Sequence, residues 1–318
     1  MFRITRKSSE GFDIVTLEDP ETGCFAEIIP SCSALLHSYG IKNNSIDLQV
    51  IESYKSKQQF ITQAEPLGFR GCKLSPFACR IKDSTYNFGN EKFVLENRSG
   101  GAHAMHGLLY NKSFTIIDQI CTALDSAITL KYEYRGDEKG YPFSYDCIIT
   151  WRLAKDCKLH VRTEIINKDE GLIPVQDGWH PYFKFSRPID EIELEFQSKN
   201  IFEFDDELIP TGNKKAYFDF STITLIRNLH FDSCFELDMQ ECQPLIVLRD
   251  TNLNVEVKIF PGNSYPYLQL YTPSDRSSIA IENISGISNG FNNGSFTTLE
   301  SSQSAIFETA YQINLLTR

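Results

Sequence analysis

An all-β fold built from large antiparallel sheets packed face to face is what this 318-residue sequence predicts. Three observations carry the prediction: apolar side chains recur at every second position, turn-forming residues separate these runs, and no long apolar stripe at helical spacing comes with capping signals. Tyr145, Cys147, Ile149 and Trp151 alternate with Asp146, Thr150 and Arg152, and Leu159, Val161, Thr163 and Ile165 alternate with Lys158, His160, Arg162 and Glu164. Successive side chains of a strand point to opposite faces, so both segments are expected to be half-buried strands. Leu253, Val255, Val257 and Ile259 repeat the pattern up to Pro261-Gly262, and Tyr267 to Tyr271 forms a short aromatic and aliphatic run closed by Thr272-Pro273. From Ser301 to Leu316, helical and strand spacing compete. Turns are expected at Gly136-Asp137, Lys139-Gly140-Tyr141-Pro142, Pro261-Gly262-Asn263 and Gly290 to Gly294. No linker, composition shift or fixed-period repeat divides the chain, so a single domain over residues 1–318 is expected, with a two-domain β protein as the alternative.

Charge narrows the function classes. With 31 basic and 42 acidic side chains the formal net charge is −11, and no basic block of five or more occurs. Phosphate backbones and anionic lipids are bound chiefly through Lys and Arg, so neither nucleic acid nor a membrane is an expected partner. The opening Met1 to Glu10 has charges but no apolar run behind them, and no stretch approaches the ~18 apolar residues of a membrane span. A soluble, cytoplasmic protein is expected. On that view the nine cysteines, odd in number and without a C-x-x-C pair, are reduced and mostly buried.

Common catalytic signatures are missing. The sequence has no phosphate-binding G-x-x-x-x-G-K-[ST] loop and no G-x-G-x-x-G. His103 and His106 have H-x-x-H spacing, but Gly100-Gly101 just before them argues for a loop or strand, where residues three apart point to opposite faces. No metal is therefore expected. What remains is a set of polar residues in unusual settings. His180 lies among rings in Trp179-His180-Pro181-Tyr182-Phe183, where it is either a core histidine or a partly desolvated acid-base group. Glu282 interrupts the apolar run Ile279 to Ile284, as an outward strand residue or as a functional carboxylate. Arg80, after Pro76-Phe77-Ala78-Cys79, suits a structural ion pair equally well; His106-Gly107 and Asp232, taken alone, read as turn residues.

In order, these segments resemble the aldose 1-epimerase (galactose mutarotase) family: Ser75-Pro76-Phe77-Ala78-Cys79-Arg80-Ile81, His106-Gly107-Leu108, Gly178-Trp179-His180-Pro181-Tyr182-Phe183, Asp232-Ser233-Cys234-Phe235, Leu268 to Pro273 and Ile281-Glu282-Asn283. The likeness runs over nearly the whole chain, and its most specific element is the H-P-Y-F block after a glycine. Two positions depart from it: Cys79, where many members have Asn, and Trp179, where many have a small residue or Thr. The resemblance implies a galactose mutarotase-like β-supersandwich whose concave sheet binds a free hexose and interconverts its anomers without a cofactor. It further implies Glu282 as general base, His180 as general acid, His106 near the ring oxygen, and Arg80 and Asp232 on sugar hydroxyls. Tyr182, with Phe183 and Trp179, would offer apolar faces. A carboxylate base and an imidazole acid imply a bell-shaped kcat/KM, with the acid limb from Glu282 and the basic limb from His180. The partner is then a small sugar, and the chain a monomer or homodimer. A hexose 6-phosphate mutarotase and a non-catalytic carbohydrate-binding protein are the alternatives.

Overall fold

Where side chains alternate in the sequence, strands pair in the structure. The computed structural model describes residues 1–96, 99 and 101–316. Tyr145–Ala154 and Lys158–Asn167 pair antiparallel from Tyr145↔Asn167 to Ala154↔Lys158, burying Tyr145, Cys147, Ile149, Trp151, Leu159, Val161, Thr163 and Ile165 on one face. Fully burying a large apolar side chain stabilises by about 1.5–3 kcal/mol, so this single hairpin is a large part of the driving force. It sits inside a nine-stranded sheet ordered Thr115–Cys121, Asp125–Tyr134, Tyr145–Ala154, Lys158–Asn167, Ser304–Leu315, Val255–Pro261, Ile246–Asp250, Glu193–Phe196 and Thr224–Leu225. The ambiguous C-terminal segment is thus a central strand, Ser304–Leu315, because both its edges are taken by neighbours. Leu253 does not extend the strand that begins at Val255: Asp250 Oδ1 accepts from the amides of Asn252 and Leu253, bending the chain into a turn that leaves Leu253 exposed. Gly290 to Gly294, expected as a turn, holds the one-turn helix Gly290–Asn293. A second helix, Lys57–Gln63, is capped by Ser56, whose hydroxyl accepts from Gln59 N at 3.1 Å.

A five-stranded sheet, Arg3–Ser9, Phe12–Asp19, Cys24–Ile29, Leu35–Lys42 and Asp47–Gln49, lies against the end of the first. Trp151 Nε1 donates to Ala34 O at 3.0 Å, and the Tyr39 hydroxyl donates to Cys157 O. This packing overturns the expectation that all cysteines are reduced. Cys24 and Cys157, 133 residues apart in sequence, have Cα atoms 5.5 Å apart and form a disulfide. The other seven are free, with Cys121 and Cys242 exposed. Among the described residues no helix is long and apolar enough to cross a membrane.

The remaining large sheet, also antiparallel, runs Pro210–Ala216, Ser198–Phe204, Asp232–Leu237, Tyr267–Tyr271, Ile279–Ile284, Gly178–Trp179 and Lys73–Leu74. Tyr182–Phe183 pairs with both Ile279–Ile284 and Ile51–Glu52. Its core side meets the first large sheet through Trp151 against Trp179, 5.0 Å between ring centroids, and Phe183 against Tyr311 at 5.8 Å. Its other side carries two rows of directly paired residues, which share a face because opposed residues in a ladder do. One row is Cys234, Gln269 and Glu282; the next is Asp232, Tyr271, Ala280, Tyr182 and Glu52. Ala280 in the middle of the second row leaves room above the sheet.

Candidate active site

Glu282 stands on that open face, yet it is almost fully buried, because loops from other parts of the chain roof the sheet. All six residues of Ile279–Ile284 are buried, so the alternation that separates Glu282 from Ile281 divides cavity from core, not water from core. Asp232 opens a strand instead of a turn, and its Oδ1 accepts from Gln269 Nε2 at 3.0 Å. Gln269 was not singled out from the sequence. The available signal was an amide in the middle of an otherwise aromatic and aliphatic strand.

His180 sits where two short strands are interrupted, ahead of Pro181, which has no amide to donate to a ladder. Its backbone is gripped by the neighbouring segment: His180 N donates to Cys72 O at 3.2 Å and Gly71 N donates to His180 O at 2.8 Å. The side chain then reaches Glu282, with Nε2 3.2 Å from Oε1. Arg80 and His106 arrive from a separate loop pair in which Met105 is the strand partner of Arg80. Cys79 and His106 both have left-handed backbones, φ 53° and 59°, and His106 N donates to Cys79 O at 2.9 Å. Conformations of this kind are costly for non-glycine residues and collect at functional sites. Gly107 must be glycine here, since a Cβ would fall 2.3 Å from Ser75 O and its φ is +76°.

His180, Glu282, His106, Arg80, Asp232 and Tyr182 all line one cavity of about 480 Å³, together with Gln269, Arg70 and Tyr271. Trp179 and Phe183 do not reach it and belong to the core. His103 faces elsewhere, its Nδ1 accepting from Asp83 N at 3.0 Å, and Gly100 lies outside the described residues.

Burial dominates the electrostatics. It pushes the Glu282 carboxyl well above its usual range, with the Asp232 carboxylate adding and Arg80 opposing. It pushes His180 down to about 3, and His106 well below the usual imidazole value, with His180 and Arg80 contributing to the latter. Burial also raises Asp232, against Arg80 and the Gln269 hydrogen bond. The free protein thus favours a neutral imidazole beside a protonated carboxyl. Carboxylate plus imidazolium contains the same single proton, one transfer across 3.2 Å away. Glu282 Oε2 and His106 Nδ1 are buried with no hydrogen-bond partner among the described residues, which suits a ligand rich in hydroxyls. His106, His180 and Glu282 also bring one ligand-type atom each within 4.8 Å of one another, the donor set of a possible metal site. Metal ligation and proton transfer would compete for the same lone pairs.

Comparison with known proteins agrees with this geometry. Residues 13–312 match the family model described as aldose 1-epimerase. A galactose mutarotase-like protein from Clostridium acetobutylicum superposes with a TM-score of 0.87 at 15% identity, covering 99% of both chains. Galactose 1-epimerase from Lactobacillus acidophilus NCFM gives 0.84 at 16% identity over 100% of this chain and 99% of that one. At these identities the likeness speaks for the fold. Among curated proteins, the "Bifunctional protein GAL10" of Kluyveromyces lactis is 22% identical over 242 residues, 70% of this chain but only 35% of that protein. The chain thus spans about a third of the length of that relative. With a family model spanning nearly its whole length and a mutarotase-like fold beneath its cavity, this chain belongs to the aldose 1-epimerase family.

Proposed function

We propose that the chain, acting as one domain, is a mutarotase that interconverts the α and β anomers of a free hexose such as glucose or galactose. The observation that carries this reading is the contact between His180 Nε2 and Glu282 Oε1 at the floor of a sugar-sized cavity. In the ring-opening step the Glu282 carboxylate takes the proton of the anomeric hydroxyl while the His180 imidazolium gives one to the ring oxygen. The C1–O5 bond breaks and an aldehyde forms. Rotation about C1–C2 presents the other carbonyl face, and closure returns both protons. After opening, the carboxyl is protonated and the imidazole neutral, which is the arrangement that burial favours in the free protein. The surroundings therefore stabilise the open-chain state relative to water. His106 would hold the ring oxygen or its neighbour, and Arg80, Asp232 and Gln269 the hydroxyls. The chemistry requires no redox step and no cofactor.

Charge supports a neutral substrate. Among the described residues, Arg70 and Arg80 are the cations lining the cavity, against Glu65, Asp232, Asp275 and Glu282, and Arg70 is already held by Glu52 at 3.0 Å. A phosphate dianion calls for a surplus of Arg or Lys. The test is anomer exchange in an equilibrated sugar by saturation-transfer NMR. Wild-type protein should accelerate exchange, and His180→Asn and Glu282→Gln should each slow kcat by at least about 10²-fold. Sugar binding without accelerated exchange would favour a carbohydrate-binding protein instead.

A further inference from the structure

A histidine that moves protons is usually held in orientation by a hydrogen bond at its second ring nitrogen. Among the described residues no other residue supplies that bond to His180, whose buried Nδ1 meets only its own backbone. Ring packing surrounds the imidazole instead. The Tyr182 ring lies parallel to it, 7° between planes and 5.1 Å between centroids, and His106 meets it edge-on at 5.0 Å.

Tyr182 is itself confined. Tyr271 packs against it edge-on at 6.4 Å, and the Gly68 backbone comes so close that a Cβ there would sit 2.2 Å from the Tyr182 hydroxyl. The Arg70 guanidinium lies over the Tyr182 ring, 5.7 Å from its centroid. Glu52 occupies the position paired with Tyr182 across the strands and anchors Arg70 through Oε1 at 3.0 Å, while Lys184 holds its other oxygen at 2.9 Å. A guanidinium is planar and can cover an aromatic face while its fork holds a carboxylate, whereas an ammonium meets a ring only as a compact point charge.

We propose that Arg70 and Tyr182 are positioning residues: a Glu52-anchored guanidinium holds the Tyr182 ring, and the ring holds the His180 imidazole in the plane from which it exchanges a proton with the sugar. This rests on the mutarotase reading for its catalytic consequence. It also refines the role given to Tyr182, which lines the cavity yet is almost fully buried. Its main work is on the histidine, and its contact with sugar is secondary. Misorienting a proton-transfer group penalises the transition state more than the bound ground state, so loss of the ring falls on kcat and spares KM.

The experiment compares Tyr182→Phe, Tyr182→Leu, Arg70→Lys and Arg70→Met by kinetics on galactose and by NMR of protein labelled with ¹³C,¹⁵N-histidine. Tyr182→Leu should lower kcat by about tenfold or more with KM within about threefold, whereas Tyr182→Phe should stay near wild type. Arg70→Met should lower kcat in the same way, Arg70→Lys should fall between wild type and Arg70→Met, and adding Arg70→Met to Tyr182→Leu should cost little more, since the two act in series. In the spectra, the ring-current shift on the His180 imidazole should persist in Tyr182→Phe and vanish in Tyr182→Leu. A raised KM with unchanged kcat in Tyr182→Leu would overturn the proposal in favour of a sugar-binding wall. So would Tyr182→Phe losing as much as Tyr182→Leu, or a His180 shift indifferent to the ring. Because the NMR arm needs no turnover, an inactive wild-type protein would retire the mutarotase reading while the spectra still decide on the stack.

Discussion

Lowering the pH from 7 to 5 should cost the wild-type fold about 2 kcal/mol more than it costs His180→Gln. The imidazole is buried, and its folded value of about 3 lies below the reference of 6.5. Between those two values the unfolded chain binds a proton at this position and the folded chain does not, so stability falls as pH falls. The slope is about 1.36 kcal/mol per pH unit, which over the 1.5 units from 6.5 to 5 gives about 2 kcal/mol. The contribution is fully present above 6.5 and is lost progressively toward pH 3. His37, His106 and His160 are also held below the ordinary imidazole value by burial and Glu282 above its own, but both proteins contain them, so the difference between the two stability curves reads His180 together with its coupling to Glu282 and His106. Urea titrations at pH 5, 6 and 7 supply those curves. Parallel curves would refute the argument, since they would mean that His180 takes up its proton as easily in the folded protein as in water. The same directions bear on the pH–rate profile. With His180 pushed down and Glu282 pushed up, protonation of His180 ends activity on the acid side and ionisation of Glu282 ends it on the alkaline side. This exchanges the owners of the two limbs implied by carboxylate and imidazole reference values, because kcat/KM reports the free protein.

Further outcomes follow from other parts of the structure. Exhaustive chelation should leave mutarotation unchanged; loss with EDTA and recovery with one divalent cation would show that His106, His180 and Glu282 act as ligands, not as proton carriers. Free glucose or galactose should be preferred over glucose 6-phosphate in kcat/KM, and a preference of more than about tenfold, ~1.4 kcal/mol, for the phosphorylated sugar would overturn the charge argument. Mass spectrometry after alkylation of the unfolded, unreduced chain should find seven modified cysteines and an intact Cys24–Cys157 link. Cys24→Ser should then destabilise the fold by several kcal/mol, since closing so long a loop is worth on the order of 5 kcal/mol in the chain-entropy picture. Nine modified cysteines in protein taken directly from its source would restore the reduced, cytoplasmic reading.

What could be read from the sequence and what could not divides along locality. His180, announced by its ring-bearing neighbours, and Glu282, by its apolar run, are local anomalies, and both line the cavity. Which of the rings beside His180 faces the cavity was not legible, because alternation assigns a side chain to a face and says nothing about what covers that face. Trp179 and Phe183 meet the first large sheet, whereas Tyr182 meets Arg70 and Tyr271. Gln269 acquires its significance only from a register that sets it opposite both Cys234 and Glu282. The disulfide needs the five-stranded sheet to dock before its partners meet. The left-handed backbone at His106 was half visible in the glycine that follows it; the matching one at Cys79, held by the His106 amide, was not.

The same division explains why the site should work as a proton store. A carboxylate on an exposed sheet would ionise in water, and an isolated imidazole would titrate near 6.5. Here the sheet supplies Glu282 and the interrupted strand supplies His180, while the segments around Phe69, Arg80 and His106 exclude water from both. Desolvation pushes the two groups toward neutrality from opposite sides, so the pair retains one proton across a wide pH interval. Anomer interconversion uses one acid and one base and returns each to its starting state, which is what a pair with a single shared proton can do in either direction.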